Sequence, residues 1–161
     1  MMYHMRRKDK EITEDTVLKK ILKTAKYVTI AMARDNQPYL VSLSHGYDED
    51  HNCIYFHCAS EGKKLDFLKA NNVVWGQALL DYGYVQGECD HNFASVHFKG
   101  RVTFITDHTE KLHAVQIMTR QLNKSAETLA AKLDQEKLKT TVVGRISIDL
   151  MTGKKSKELT I

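Results

Sequence analysis

Proline is nearly absent from this 161-residue sequence, with Pro38 standing alone, and glycine and tryptophan are sparse at eight residues and one. No Pro-, Gly- or Ser-rich stretch, low-complexity tract or internal repeat marks a linker, so residues 1–161 are expected to form one domain. The three cysteines, Cys53, Cys58 and Cys89, cannot all pair with one another, which argues against a disulfide scaffold and for thiols in a reducing compartment. No long apolar run follows the charged opening MMYHMRRKDK or occurs later, so a cytoplasmic protein with no membrane partner is expected. Charge of one sign is also lacking: 24 basic against 20 acidic residues leave +4, spread along the chain. That balance weakly favours an anionic ligand and, without aromatic interleaving, argues against a nucleic-acid partner.

What is present is 42% hydrophobic residues in clear periodicities. Thr13 is placed to cap a helix to about Lys26, with Ile12 stapling against Val17 and an apolar face of Val17, Leu18, Ile21, Leu22 and Ala25. A strand over Tyr27 to Ala33, a polar turn and a second strand opened by Pro38 (PYLVSLSHGYD) read as a hairpin. After the turn DEDHN comes CIYFHC, a third strand. Ser60 is placed to cap a short helix carrying Leu65 and Leu68 and ended by Asn71 and Asn72. VVWGQALL and the alternating FASVHFKGRVTFI read as strands. Asp107 to Leu122 and Ser125 to Leu138 carry helical patterns, Thr141 to Leu150 returns to strand, and Met151 to Ile161 reads as a tail. The sum is an α+β protein built on a small closed antiparallel barrel with helices around it. A barrel of that size fills its interior with side chains, so a ligand must sit outside it or between two copies, and a dimer is expected.

The most informative stretch is IYFHCASEGKKLDFL, in which Lys63 and Lys64 fall in the first turn of a helix. Cations there are disfavoured by the helix dipole by roughly 0.3 to 1 kcal/mol each, which a bound anion would offset. Free N–H groups at the helix start, the Ser60 hydroxyl, the close approach allowed by Gly62 and two ammonium groups suit a phosphate; solvated surface lysines are the alternative.

The pattern YFHxAxxGKKLDxL, following YLVSLSHGYD, resembles that of the pyridoxamine 5'-phosphate oxidase-like FMN-binding split-barrel proteins, above all the 5-nitroimidazole reductase branch. The likeness runs through Thr13 to Lys26, YVTIAMA, CDHNFASVHFKGRV and MTGKK. It implies a homodimer holding FMN at its interface. Val41, Ser42, Leu43 and Ser44 would line the flavin ring, His57 and Cys58 the ribityl-phosphate chain, and Ser60, Lys63 and Lys64 the phosphate, while Ser95 would hydrogen-bond the flavin. Oxidases of pyridoxamine phosphate carry further arginines and a tryptophan near the C-terminus; here only Arg145 is available, and no tryptophan follows Trp75.

The resemblance therefore implies an FMN-dependent oxidoreductase that reduces a small flat acceptor such as a nitroaromatic, with His57 as catalytic proton donor and a nicotinamide cofactor as a possible reductant. A flavin-binding, flavin-storage or redox-sensing protein without turnover and a haem-binding split barrel are the alternatives. His45, alternating with polar residues, is expected to be exposed. Tyr82 with Tyr84, and Trp75 with Phe93, are expected in the core or at an interface. His51, Cys53, His57 and Cys58 cluster in sequence, and Cys89 lies two residues before His91, but Cys53 and Cys58 fall on opposite faces of an extended strand; no metal site is expected.

Overall fold

The computed structural model describes residues 5–123 and 140–161. Eight strands form one antiparallel sheet: β1 (Glu11–Ile12), β2 (Tyr27–Arg34), β3 (Gln37–Ser44), β4 (Gly46–Asp48), β5 (Cys53–Cys58), β6 (Val73–Val85), β7 (Asp90–Ile105) and β8 (Val142–Lys155). They run in the order β3-β2-β6-β7-β8-β5-β4, with β1 added to β8. Helix α1 (Asp15–Thr24) precedes β2, α2 (Lys63–Ala70) joins β5 to β6, and α3 (His108–Leu122) follows β7.

The sheet curls until its first strand, β3, approaches β5 without pairing to it, leaving an open seam. Helix α2 lies over that seam, where the Tyr39 ring of β3 packs against Phe67 of α2 at 5.3 Å between centroids. This is an α+β split barrel. Its interior is filled by Val28, Ile30, Ile54, Phe56, Val96, Phe98 and Ile146, with Ile21 and Leu22 of α1 closing one side. Two glycines make the packing possible: Gly144 and Gly76 stand opposite Phe56 and Phe98 in register, and each ring occupies the space a Cβ would need. Outside the barrel, Cys53, Tyr55, Ile105 and Val143 form a second apolar cluster with Ala114 and Met118 of α3.

Several boundaries depart from the sequence expectation. Thr13 is not the cap of α1; the helix begins at Asp15, with Glu14 at the N-cap position and no side-chain cap bond. PYLVSLSHGYD is two strands broken at His45. Residues 151–155 are strand, and the segment after them is anchored: Ser156 is buried, bonds the Phe93 backbone, and is followed by Leu159 and Ile161 packed on the core. Pairing with the long β7 extends β8, a non-local cause that local composition does not display. The expected helix over Ser125 to Leu138 lies outside the described residues.

Candidate functional site

The seam holds a cleft of about 230 Å³ lined by Tyr39, Val41, Cys58, Ala59, Glu61, Gly62, Lys63, Lys64 and Leu65. Residue alternation fixes the β3 contribution. Tyr39, Val41 and Leu43 face inward, with Tyr39 and Val41 in the cleft and Leu43 in the core, while Ser42 and Ser44 face outward. The Ser42 hydroxyl is 2.9 Å from that of Thr29 on the outer face. Across the seam, Phe56 fills the core and Cys58, on the same face of β5, opens into the cleft. Burial raises the Cys58 thiol pKa, and the nearby Lys64 ammonium works against that rise.

The floor of the cleft is the start of α2. Gly62, not Ser60, occupies the N-cap position, at φ 126° and ψ 165°, a conformation essentially reserved for glycine. Intrahelical bonding begins with the Leu65 and Asp66 amides, which donate to the Gly62 carbonyl at 2.9 and 3.2 Å, so the Lys63 and Lys64 amides precede the first bonds. Ser60 is exposed in the preceding loop and does not line the cleft. The Lys63 ammonium sits 4.6 Å from the Tyr39 ring centroid and that of Lys64 5.7 Å from the Phe56 ring. Among the described residues neither has a carboxylate partner, although the exposed Glu61 lines the same cleft.

The remaining expected residues lie elsewhere. His57 is exposed on the face of β5 opposite Cys58 and does not line the cleft. Ser95 is buried on the outer side of the sheet, opposite Leu79 and Lys154, with its hydroxyl donating to the Lys154 carbonyl at 3.4 Å. That outer face is unusually apolar. Leu40 and Trp75, 63% and 48% exposed, flank Ala31 in register and border a depression of about 320 Å³ also lined by Thr29, Gln77 and His97. Trp75, Tyr82 and Tyr84 are therefore not core residues. Burial, with Lys154 nearby, lowers the His97 pKa.

His45 overturns its expectation: it is fully buried. Its Nε2–H donates to the Leu22 carbonyl at 3.0 Å beside the Gln121 amide, while Nδ1 has no partner among the described residues. Burial lowers its pKa. Alternation in β3 does not reveal this, because the strand breaks at His45, where α1 and α3 converge. Sequence reasoning missed Tyr39, Ala59, Glu61 and Leu65 in the cleft, although the spacing of two between Tyr39 and Val41 places those two on the same face.

Cys53 is buried, with its thiol pushed up to about 11 chiefly by burial, while Cys89 is exposed at the β6–β7 turn; the sequence clustering of cysteine and histidine around β5 does not converge. A different group does. Asp48, ending β4, is buried, and its Oδ2 lies 2.9 Å from His51 Nδ1 and 2.7 Å from His113 Nε2 of α3. Sequence separation concealed this cluster.

Together, an antiparallel barrel split along one seam and a cleft in that seam floored by two lysines define a split-barrel protein. Residues 14–155 match the family model described as pyridoxamine 5'-phosphate oxidase, and the chain belongs to that family. Among solved structures, the fold is similar to a candidate 5-nitroimidazole antibiotic resistance protein of Bacteroides thetaiotaomicron, with 25% identity, 95% of each chain covered and a TM-score of 0.76. A flavocytochrome of Azotobacter vinelandii shares 18% identity over 96% of this chain and 72% of its own, with a TM-score of 0.79. An FAD- and haem-binding protein of Mycobacterium smegmatis shares 18% identity over 94% and 76%, with a TM-score of 0.76. No curated protein matches the sequence. Among the described residues no helix is long and apolar enough to cross a membrane.

Proposed function

We propose that the chain binds FMN in the seam between β3 and β5 and reduces a small flat acceptor with it. The observation that carries this reading is the start of α2: two ammonium groups without carboxylate partners among the described residues, two amides ahead of the first helical bond, and a glycine that leaves the approach open. These donors suit a phosphate dianion, which favours helix N-termini and charge-assisted bonds. Lys63, Lys64 and the α2 amides hold the phosphate, Val41 and Cys58 border the chain leading from it, and the backbone of edge strand β3 meets the ring.

At about 230 Å³ the cleft is smaller than the roughly 300 to 1,000 Å³ of sites that enclose drug-sized ligands, so it receives only the phosphate end. A second copy, seated on the apolar outer face around Leu40 and Trp75, covers the rest and brings Ser95 into reach of the ring. The family fold and the candidate nitroimidazole resistance protein support a nitroaromatic acceptor.

Bound FMN supplies the electron transfer; the chain binds, orients and excludes water. His57 faces away from the cleft of its own chain, so it donates the proton the reduced acceptor requires only where the acceptor reaches that outer face. A nicotinamide cofactor serves as transient reductant. The test is steady-state oxidation of a nicotinamide cofactor by the FMN-loaded protein with 5-nitroimidazoles and other nitroaromatics as acceptors. Turnover that falls more than flavin affinity in His57→Ala supports the reading; flavin binding without turnover across the panel assigns the protein to flavin storage or sensing.

A further inference from the structure

We propose that Asp48, His51 and His113 form a binding site for one zinc-class divalent cation, which staples α3 to the β4–β5 turn. One ligand atom from each residue lies within 4.8 Å of the others, and all three belong to side chains that typically bind zinc. The carboxylate is already oriented for the task. Asp48 Oδ1 accepts the Asp50 and His51 amides at 3.1 and 3.2 Å, which leaves Oδ2 turned toward the two imidazoles. Those amides do for this carboxylate what outer-shell partners do in metal sites: they fix its rotamer.

The imidazoles converge from separate elements. His51 comes from the turn after β4 and His113 from α3, 62 positions later in sequence, with their ring centroids 5.9 Å apart and edge-on. The Tyr55 ring packs edge-on against His113, also at 5.9 Å, limiting how that ring can turn. Oδ2 now serves as the acceptor for both rings, at 2.9 and 2.7 Å. Ligand bonds of 2.0 to 2.1 Å in a tetrahedron need neighbouring donor atoms roughly 3.3 Å apart, so Oδ2 must draw back from each ring by about half an ångström while the two imidazole nitrogens, within 4.8 Å of one another, turn to share the ion. His51 Nδ1 and His113 Nε2 would bind as lone-pair donors, their protons moving to the other ring nitrogen or leaving.

His51 is exposed and His113 half-exposed while the carboxylate is buried, so a metal can enter from solvent and keep water in its fourth position. Two nitrogens and one oxygen favour a borderline ion over magnesium or calcium, which prefer all-oxygen shells. The site stands at the Cys53 end of β5 and the cleft at the Cys58 end, about 17 Å away at roughly 3.3 Å per residue, so metal binding does not depend on the flavin reading.

The experiment is calorimetric titration of tag-free, chelator-stripped full-length protein with Zn²⁺, alongside Mg²⁺, His51→Ala, His113→Ala, the double variant and Cys89→Ser. The expected result is one Zn²⁺ per chain in the parent and Cys89→Ser proteins, no Mg²⁺ response, at least about tenfold weaker binding in each histidine variant, and a Zn²⁺-dependent rise in Tm that the double variant lacks. His51 is exposed and His113 half-exposed, so these variants are expected to fold. Equal Zn²⁺ binding by parent and double variant, binding lost in Cys89→Ser instead, or no binding by the parent would each overturn the proposal.

Discussion

The two ends of strand β5 treat charge in opposite ways. At the Cys58 end, Lys63 and Lys64 gather at a helix start that disfavours them, with aromatic rings rather than carboxylates as their close contacts. At the Cys53 end the buried and half-buried charges are paired: Asp48 takes both imidazoles and two amides, and Arg145 meets Glu110 of α3 at 2.7 Å. Under the proposed function the first arrangement is completed by an anion, whereas the second holds the molecule together as it stands. Exposed or unmatched charge in a preformed cleft indicates a ligand; mutually satisfied charge beneath a helix indicates architecture first.

That contrast can be broken by exchanging the consequences of mutation at the two ends. Asp48→Ala is expected to have the largest effect, lowering unfolding free energy by about 3 kcal/mol because two amides and two imidazoles lose their shared acceptor, while FMN affinity stays unchanged. Urea denaturation and a flavin titration check the two halves. At the other end, replacing both Lys63 and Lys64 with Ala should weaken FMN by one to two orders of magnitude, roughly 1.5 to 3 kcal/mol, with stability altered by no more than about 0.5 kcal/mol. Unchanged flavin affinity in that variant would remove the phosphate cradle from the account. Gly62→Ala sharpens the comparison, because space around the site is open and only the backbone conformation resists a Cβ. It should cost about 1 to 2 kcal/mol of stability and weaken FMN together, since the strained residue is also the approach to the helix start.

Proton linkage gives a smaller effect, confined to the α3 side. His45 has a lowered pKa in the fold, so below about 6.5 the unfolded chain binds a proton that the folded chain resists. Its contribution is complete above that pH and declines as pH falls toward the folded value. Asp48 acts in a separate window. Burial opposes its ionisation, but donation from His113 and His51 outweighs burial and lowers its pKa, so its contribution is present above about 3.9 and lost as pH drops through the folded value. A urea midpoint followed against pH should decline in two stages in the parent protein, with the earlier one missing from His45→Gln.

Legibility of the fold tracks how locally each feature is determined. Strand β5 was readable to the residue because DEDHN and the small residues after Cys58 bracket an apolar run, and Asp107 caps α3 by accepting the Glu110 amide at 2.8 Å, the spacing of a capping motif. Ser60 was a reasonable cap by residue type, yet the chain turns at Gly62, where backbone conformation decides. The continuation of β8, the burial of His45 and the meeting of His113 with Asp48 depend on β7 or α3 returning from far along the sequence, and no local pattern carries them. Within the cleft, Val41, Cys58, Lys63 and Lys64 were identifiable in advance. Their convergence with Tyr39, and the opposite facing of His57, required the strands to be placed.

The central claim is that the seam is a flavin site completed by its ligand. Its most direct test is the absorbance spectrum of the purified protein before and after adding FMN, with released cofactor identified by mass. Flavin bands approaching one FMN per chain, reduced in the Lys63→Ala, Lys64→Ala double variant, are the predicted result; a colourless protein that ignores FMN would contradict it.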